Sequence, residues 1–335
     1  FYINDYGKQI DDFSKSIYLR LKEIKFNIKF PSEETLYPGN YIIDISKKIL
    51  KDEPEINLEN FDKIKNKLKK QGLKYTMDSI KLDLKNLGII HDNFFSETTL
   101  VKNKSVEKVV KVLKKKNLIE EGYLEPPKGE DNKNWKKVKR LIFKSSLFGD
   151  DTNRALTKND NTWTYFANDL AYHSNKVSRK YDYLINILGA DHAGYIRRIS
   201  SAVNALSKKE NILICKVCQL VKLIKNGQPY KMSKRKGDFI EIKDVLNEVG
   251  KDSLRFMMLS RSNDAELDFD FNKVLEKNKE NPVFYVQYCY ARINSLYTSL
   301  KINPKRMNKL TSLKFNPNDY EYKLLRKIIE WPKIV

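Results

Sequence analysis

The sequence lacks any long hydrophobic stretch, and this excludes a chain built of membrane-spanning helices. No apolar run reaches the ~18 residues that a helix needs to cross a bilayer. The closest one, residues 211–224, is interrupted by Lys216 and Lys222. The chain does not open on a basic segment followed by an apolar one, so no secretory signal is predicted. We expect a protein without a membrane partner.

Cysteine is also scarce. Cys215, Cys218 and Cys289 are too few for a disulfide framework in 335 residues, so we expect a reducing, cytoplasmic location. Cys215 and Cys218 have C-x-x-C spacing, but no two further zinc ligands lie close by. Both belong to residues 212–221, a run that predicts a β-strand, and we interpret them as structural residues.

The charge is strongly one-sided, since 64 basic against 43 acidic residues give a net charge of +21. Such an excess indicates a polyanionic partner, most plausibly nucleic acid. However, the lysines are spread along the chain rather than clustered. Biased coding therefore remains an alternative explanation of the charge.

Apolar spacing predicts a largely helical first part. Residues 1–24 predict a strand end and then an amphipathic helix, and residues 62–87 predict a second helix. Residues 124–132 contain the Pro and Gly of a linker or turn. The residues at helical spacing in the first helix are Ile10, Phe13, Ile17 and Leu21.

Residues 155–240 instead predict alternating helices and strands. The apolar run 183–188 ends at Gly189, as a buried parallel strand would, and a helix over 194–206 precedes the cysteine-bearing strand. A Gly-Gln-Pro turn is predicted at 227–229. This order favours an open α/β sheet.

Mostly helical spacing follows from Lys243 onward. Gly250 is placed to end one helix and Asp252 to cap the next. Phe284, Tyr288 and Ala291 fall at helical spacing, which favours core packing.

Three short patterns carry chemistry, and the first is Lys231-Met232-Ser233-Lys234-Arg235. Two lysines three apart suit a loop that grips phosphate. Lysines delivered to the leaving pyrophosphate of ATP would stabilise the transition state more than the ground state. A K-x-x-K pair alone is often accidental in a lysine-rich chain, but the Met-Ser centre makes accident less favoured.

The second pattern, Gly189-Ala190-Asp191-His192, ends the apolar strand, where open α/β sheets bind ligands. Gly189 would let the backbone turn closely, Asp191 would accept from a ribose hydroxyl or an ammonium, and His192 would donate to a phosphate. A structural role for His192 remains an equal alternative.

The third pattern is the pair Tyr165 and Asp169, which would share one helix face. A carboxylate can accept two hydrogen bonds from the guanidinium of arginine, and a tyrosine can stack on that plane. By spacing alone, an inward aromatic residue beside a solvated acid is the commoner arrangement.

Taken together and in this order, these segments resemble arginyl-tRNA synthetases of the bacterial type. The 231–235 pattern is similar to the KMSKS signature of class I synthetases, with Arg235 in place of the last Ser. The most specific likeness is at 281–293. The likeness extends over nearly the whole chain, through residues 2–9, 94–97, 124–128, 163–173, 186–192, 255–259 and 267–271.

The resemblance implies an α/β fold, with a Rossmann-like class I catalytic domain that contains a parallel sheet and a helical insertion. The start of an all-α anticodon-binding domain would follow. The implied divisions are residues 1–24 and 151–242 for the catalytic domain, 25–150 for the connective insertion, 243–277 for a stem-contact region and 278–335 for the anticodon-binding domain.

The implied function is ATP-dependent activation of L-arginine to arginyl-adenylate, with transfer to the terminal ribose of tRNA(Arg). Mg²⁺ would accompany ATP, activation would need bound tRNA, and the protein would be a monomer. Arginine would be bound by Tyr165, Asp169 and Tyr195. ATP would be bound by Gly189, Asp191, His192, Met232, Ser233 and Lys234, with Lys231 and Lys234 catalytic.

One departure concerns the H-x-G-H motif of class I synthetases, which none of the three histidines, His91, His173 and His192, matches. The resemblance implies that this motif lies upstream of Phe1, so the chain alone is expected to be inactive. Two alternatives remain: another class I synthetase or nucleotidyl transferase, and a basic RNA-binding module without activity. A P-loop ATPase is disfavoured because no G-x-x-x-x-G-K-[ST] occurs.

Overall fold

A computed structural model of the protein describes residues 1–124, 138–207, 209, 211–230, 240–303 and 316–334. The chain divides into two compact units, Phe1–Leu275 and Glu276–Val335. Among the described residues, no helix is both long and apolar enough to cross a membrane.

The helices of the first unit are α1 (Lys8–Phe26), α2 (Asn40–Asp52), α3 (Phe61–Asn86), α4 (Glu97–Lys102), α5 (Ser105–Lys115), α6 (Tyr165–Ser178), α7 (Ile196–Leu206), α8 (Ile242–Val249), α9 (Lys251–Leu259) and α10 (Phe271–Leu275). Its strands are β1 (Tyr2–Ile3), β2 (Phe95–Ser96), β3 (Ile119–Gly122), β4 (Arg140–Phe143), β5 (Arg154–Ala155), β6 (Leu184–Gly189), β7 (Leu213–Cys218), β8 (Val221–Lys225), β9 (Gln228–Pro229) and β10 (Leu267–Asp270).

The predicted helices over 1–24 and 62–87 are present as α1 and α3, which pack together with α2 around an apolar core. Gly72 of α3 faces Ile17 and Phe13 of α1 so closely that a Cβ atom there would lie 2.4 Å from Ile17 Cδ1. A side chain of any size at this position would push the two helices apart.

The predicted strand–helix–strand unit is also present. β6 and β7 run parallel in register from Leu184–Leu213 to Gly189–Cys218, and α7 connects them. In the described residues the strands form small separate sheets: β1-β2, β3-β4-β5, β6-β7 and β10-β8-β9. The largest core joins α5, α6 and α7 to β3 and β4.

The strand predictions needed three corrections. The single strand over 212–221 is wrong, since β7 ends at Cys218 and β8, in another sheet, begins at Val221. The turn predicted at 227–229 lies earlier, because Pro229 is already paired with Ile224. Full burial of β6 is wrong as well, because Ile185 and Ile187 are 56% and 65% exposed.

α8, α9, β8, β10 and α10 surround a third core that contains Phe269 and Phe271. Gly250 ends α8 with a φ of 77°, as predicted, and also serves as the N-cap residue of α9. Asp252 lies in the first turn of α9 rather than at its cap.

The second unit contains α11 (Pro282–Ser299) and α12 (Asp319–Ile334). Asn281 caps α11 by accepting a hydrogen bond from the backbone N–H of Val283 at 3.0 Å. The predicted core stripe is wrong for Tyr288, which stacks on Phe284 but is 53% exposed.

Candidate amino-acid-binding site

Helix α6 supplies the central carboxylate of the site. Thr164 begins the helix, because its hydroxyl accepts a hydrogen bond from Ala167 N at 3.3 Å. The inward face of α6 joins the largest core. This packing directs Asp169, which is only partly buried, towards the edge of that core. The buried residues of this face are Phe166, Ala167, Leu170 and Ala171.

Asp169 is paired with Tyr195. The Tyr195 hydroxyl donates to Asp169 Oδ2 at 2.5 Å. Tyr195 comes from a short 3₁₀ turn, Ala190–Tyr195, that directly follows β6, so two distant parts of the chain meet here. The structure thus joins two of the three residues predicted to bind arginine.

The protonation behaviour of this pair follows from burial. Burial raises the pKa of Asp169, although the hydrogen bond from Tyr195 and the nearby His192 act in the opposite direction. Burial, together with the charge of Asp169, also raises the pKa of Tyr195. Tyr195 therefore stays a neutral donor, and Asp169 is a carboxylate that gains from a cationic partner.

Glu97, which the sequence analysis did not single out, faces the same site from the start of α4. Burial, and then the negative charges of Asp169 and Asp5, raise the pKa of Glu97. Neither Glu97 nor Asp169 forms an ion pair with any described residue. The two carboxylates thus lie in each other's electrostatic field, and His192 is the positive group that acts on Asp169. We call the surroundings of Asp169, Tyr195 and Glu97 the recess.

Asp5 holds the start of α4 in place. Its carboxylate accepts hydrogen bonds from Ser96 Oγ at 2.5 Å and from Thr98 N at 2.9 Å. The parallel pairing of Tyr2 with Phe95 and of Ile3 with Ser96 brings the two segments together. Asp5 therefore acts as a helix cap from outside the helix and fixes the position from which Glu97 extends.

Aromatic rings line the recess on the side of β1 and β2. The rings of Tyr2 and Tyr172 lie 4.5 Å apart, and those of Phe95 and Tyr172 lie 5.0 Å apart. Burial raises the pKa of Tyr2, and the charges of Glu97 and Asp169 raise it further. Tyr2 therefore lies in the electrostatic field of both carboxylates.

Two arginine side chains near Tyr195 have different partners. Arg154 donates to Asp150 through Nε at 2.9 Å and through Nη2 at 2.8 Å. Arg198 lies over the ring of Tyr195, 5.1 Å from its centroid. Arg154 is thus committed to its own carboxylate, and Arg198 fixes the tyrosine ring.

Tyr165 does not pack inside the site beside Asp169. It is the first residue of α6, one turn before Asp169, but its side chain is 82% exposed. Its described neighbour is Lys158, whose Nζ lies 5.6 Å from the ring centroid. Tyr165 is therefore available at the rim of the site rather than packed inside it.

The strand-end group lies beside this recess. Gly189 is the last residue of β6, and the exposed side chains of Asp191 and His192 approach each other to 3.5 Å. The backbone of Gly189 has an ordinary extended conformation, with φ −68° and ψ 158°. A Cβ atom at this position would lie 2.5 Å from Asp191 Oδ1, so a larger residue would displace that exposed carboxylate.

The predicted phosphate-gripping residues Lys231, Met232, Ser233 and Lys234 lie outside the described residues. The residues that flank them are anchored to the third core. Tyr230 N donates to Leu223 O at 2.8 Å, and the Tyr230 ring lies 5.8 Å from that of Phe271. On the other side, Glu241 and Asp244 form a capping box at the start of α8.

Comparisons with known proteins identify the family of the chain. Residues 191–270 match the family model of tRNA synthetases class I (I, L, M and V). The whole chain is 52% identical to the arginine–tRNA ligase of Pelagibacter ubique and 43% identical to that of Roseobacter denitrificans. It covers 58% of each of these two proteins, so the chain spans somewhat more than half of their length.

A solved structure from Campylobacter jejuni that carries the name of an arginyl-tRNA synthetase superimposes with a TM-score of 0.81 at 30% identity. The superposition covers 98% of this chain and 68% of that one. The Thermus thermophilus arginyl-tRNA synthetase, at 14% identity and a TM-score of 0.62, shares the fold.

Proposed function

We propose that this chain, which belongs to the arginyl-tRNA synthetase family, is the part of an arginine–tRNA ligase that recognises arginine and completes the ATP site. The observation that carries the proposal is the recess formed by Asp169, Tyr195 and Glu97, in a chain whose curated relatives are arginine–tRNA ligases. The ligase would activate L-arginine with ATP and transfer it to the terminal ribose of tRNA(Arg).

The guanidinium group of arginine suits the recess because it is planar, permanently charged and carries five N–H donors. We assign Asp169 and Glu97 as its two carboxylate partners. Tyr195 orients Asp169 through the 2.5 Å hydrogen bond, and Tyr165 would close over the ligand from the rim. Free lysine carries a positive charge but lacks a planar group that donates two parallel hydrogen bonds, so the recess would bind it less tightly than arginine.

The strand-end group would bind the nucleotide. Gly189 leaves space for Asp191, which would accept from the ribose, and His192 would donate to a phosphate. Met232 and Ser233 would line ATP, with Lys231 and Lys234 as catalytic cations on the departing pyrophosphate. ATP would enter as its Mg²⁺ complex.

In the proposed reaction, a carboxylate oxygen of arginine attacks the α-phosphorus of ATP and the bond to pyrophosphate breaks. The terminal ribose hydroxyl of tRNA then attacks the arginyl carbonyl, and AMP leaves. The net charge of +21 supports binding of the tRNA polyanion. We further propose that the enzyme acts as a monomer in the cytoplasm and needs bound tRNA for activation.

We also propose the domain divisions that the sequence implies. Residues 1–24 and 151–242 would belong to the catalytic domain, and 25–150 to the insertion. Residues 243–277 would contact the tRNA stem, and 278–335 would begin the anticodon-binding domain.

The test is ATP–pyrophosphate exchange by the full-length protein with each amino acid in turn, with and without tRNA. Exchange that requires arginine and tRNA would support the proposal. Asp169→Asn should weaken the response to arginine about 10- to 150-fold, the equivalent of one charge-assisted hydrogen bond. Asp182→Asn is a matched control, since Asp182 is 87% exposed and pairs with Lys209. Exchange with another amino acid would overturn the arginine assignment, and no exchange with any amino acid would favour a basic RNA-binding module.

A further inference from the structure

His173 lies one helical turn after Asp169 and is buried, with only 5% of its surface exposed. Both nitrogens of its ring have polar partners. Nδ1 lies 2.8 Å from the backbone oxygen of Asp169, and Nε2 lies 2.9 Å from Nδ2 of Asn186. The side-chain oxygen of Asn186 lies 2.6 Å from Nζ of Lys176.

These contacts fix every proton in the chain of hydrogen bonds. Lys176 can only donate, so the amide of Asn186 turns its oxygen to Lys176 and its NH₂ group to His173. Nε2 of His173 must then accept, and Nδ1 carries the ring proton. The backbone oxygen of Asp169 can only accept, which completes a consistent set of donors and acceptors.

This chain of hydrogen bonds connects the two segments that build the arginine recess. His173 and Lys176 belong to α6, which carries Asp169, whereas Asn186 belongs to β6, which leads into Gly189 and the turn that carries Tyr195. The bond between Asp169 and Tyr195 requires that α6 and the end of β6 keep one relative position.

We propose that His173, bridged to Asn186, is a positioning residue that sets Asp169 against Tyr195 for the recognition of arginine. The proposal rests on the function proposed above. Burial keeps the ring neutral, with the pKa of His173 lowered to about 4, so the bridge persists at physiological pH. Lys176 is the last donor of this chain of hydrogen bonds, since its ammonium group donates to Asn186.

The kinetic test uses the full-length ligase, with arginine and ATP varied separately in aminoacylation. Asn186→Leu removes the bridge, and we expect the KM for arginine to rise about tenfold, since small misplacements of binding groups have effects of this order. Asn186→Asp restores a bridge between a carboxylate and a charged imidazole, so its KM should lie between those of Asn186→Leu and the unmodified protein. In both variants the KM for ATP should stay within about twofold of the value of the unmodified protein.

Asn175→Ala is the matched control. Asn175 also lies on α6 and is hydrogen-bonded, but its partner Arg179 is on the same helix end. If a substitution only reduced the amount of folded enzyme, it would lower the apparent kcat for every substrate and leave the KM values for arginine and ATP unchanged. Equal KM values for arginine in the unmodified protein, Asn186→Leu and Asn175→Ala would overturn the proposal.

A spectroscopic measurement tests the proton arrangement directly. In histidine-labelled full-length protein, the ¹⁵N signals that disappear in a His173→Gln variant should report a neutral ring protonated at Nδ1 at pH 7. A ring protonated at Nε2, or a charged ring, would also overturn the proposal. Failure of the proposed function is distinguishable, because then the unmodified protein would not charge tRNA with arginine at all, whatever the state of the ring.

Discussion

Removal of the ionisable group at His173 should change how the stability of α6 depends on pH. The pKa of this ring is lowered from 6.5 to about 4, first by burial and then by the charge of Lys176, against the hydrogen bonds to Asp169 O and Asn186. In the opened helix the ring would regain its ordinary pKa near 6.5. Opening therefore takes up a proton at any pH between these two values.

The sign and size of this pH dependence follow from the linkage between proton binding and folding. The folded state is fully favoured above about pH 6.5 and loses stability as the pH falls towards 4, because the unfolded ring binds the proton more tightly. Between pH 7.5 and pH 5.0, a shift of this size removes about 2 kcal/mol from the free energy of opening. Asp169 and Glu97 act in the opposite sense, because their pKa values are raised, so acid stabilises the folded state through them.

Comparison with His173→Gln separates these contributions, since both carboxylates remain in the variant. Hydrogen exchange of the α6 amides at pH 7.5 and 5.0, corrected for intrinsic rates, gives the free energy of opening in each protein. When the pH falls from 7.5 to 5.0, the free energy of opening should decrease by about 2 kcal/mol less in the variant than in the unmodified protein. An identical pH dependence in both proteins would refute the reasoning, because it would mean that the native ring is already charged or solvated.

Four further predictions concern the recess, its support and the packing of α1 on α3. Asp169→Asn and Glu97→Gln should each lower kcat/KM for arginine about 10- to 150-fold, the equivalent of one charge-assisted hydrogen bond, with the KM for ATP unchanged. Because the pKa values of both carboxyls are raised, the KM for arginine should increase as the pH falls, and initial rates over a pH series would measure this. Gly72→Ala should destabilise the packing of α1 on α3 by about 1–3 kcal/mol in a urea titration, because its Cβ would meet Ile17. Asp5→Ala should cost about 1 kcal/mol as a lost helix cap and raise the KM for arginine, since Glu97 is held through it.

Matched controls exist for these variants. For Gly72→Ala, the control is Ser79→Ala, which also introduces alanine but on the exposed face of α3. Its free energy of unfolding should stay within about 0.5 kcal/mol of the unmodified value. Asp182→Asn removes an exposed carboxylate without touching the recess. If Ser79→Ala destabilised the protein as much as Gly72→Ala, or Asp182→Asn lowered kcat/KM as much as Asp169→Asn, the contacts in the structure would not explain the effects.

Local pattern was sufficient to predict the helices that bury one clear face. α1 and α3 were predicted because their apolar residues recur at helical spacing, and that spacing is what places them on a core. The hairpin at Asn226-Gly227 could have been placed from the Asn-Gly pair, a strong turn signal. The predicted turn was placed too late because Pro229 was taken as part of it.

Other features depend on contacts between distant residues and leave no local trace. No Gly or Pro separates β7 from β8, and the change of sheet is set by pairing with a later segment, where Gln219 N donates to Asn263 O. The approach of Glu97 to Asp169 likewise depends on Asp5 and on the β1–β2 pairing. A sequence shows that a carboxylate is present, but only the fold shows which other carboxylate it faces.

Under the proposed function, the recess would let a protein of net charge +21 bind a small cation as well as a polyanion. At physiological ionic strength, exposed charges are screened within about 8 Å, so the many surface lysines contribute little inside a partly buried site. Glu97 and Asp169 act on each other electrostatically and form no ion pair with a described residue, so their negative charges would dominate the local field. The lysines would act over the surface, where they would neutralise RNA phosphates and release the counter-ions of the RNA. Burial of the two carboxylates would therefore separate the electrostatics of the proposed arginine binding from those of the proposed tRNA binding.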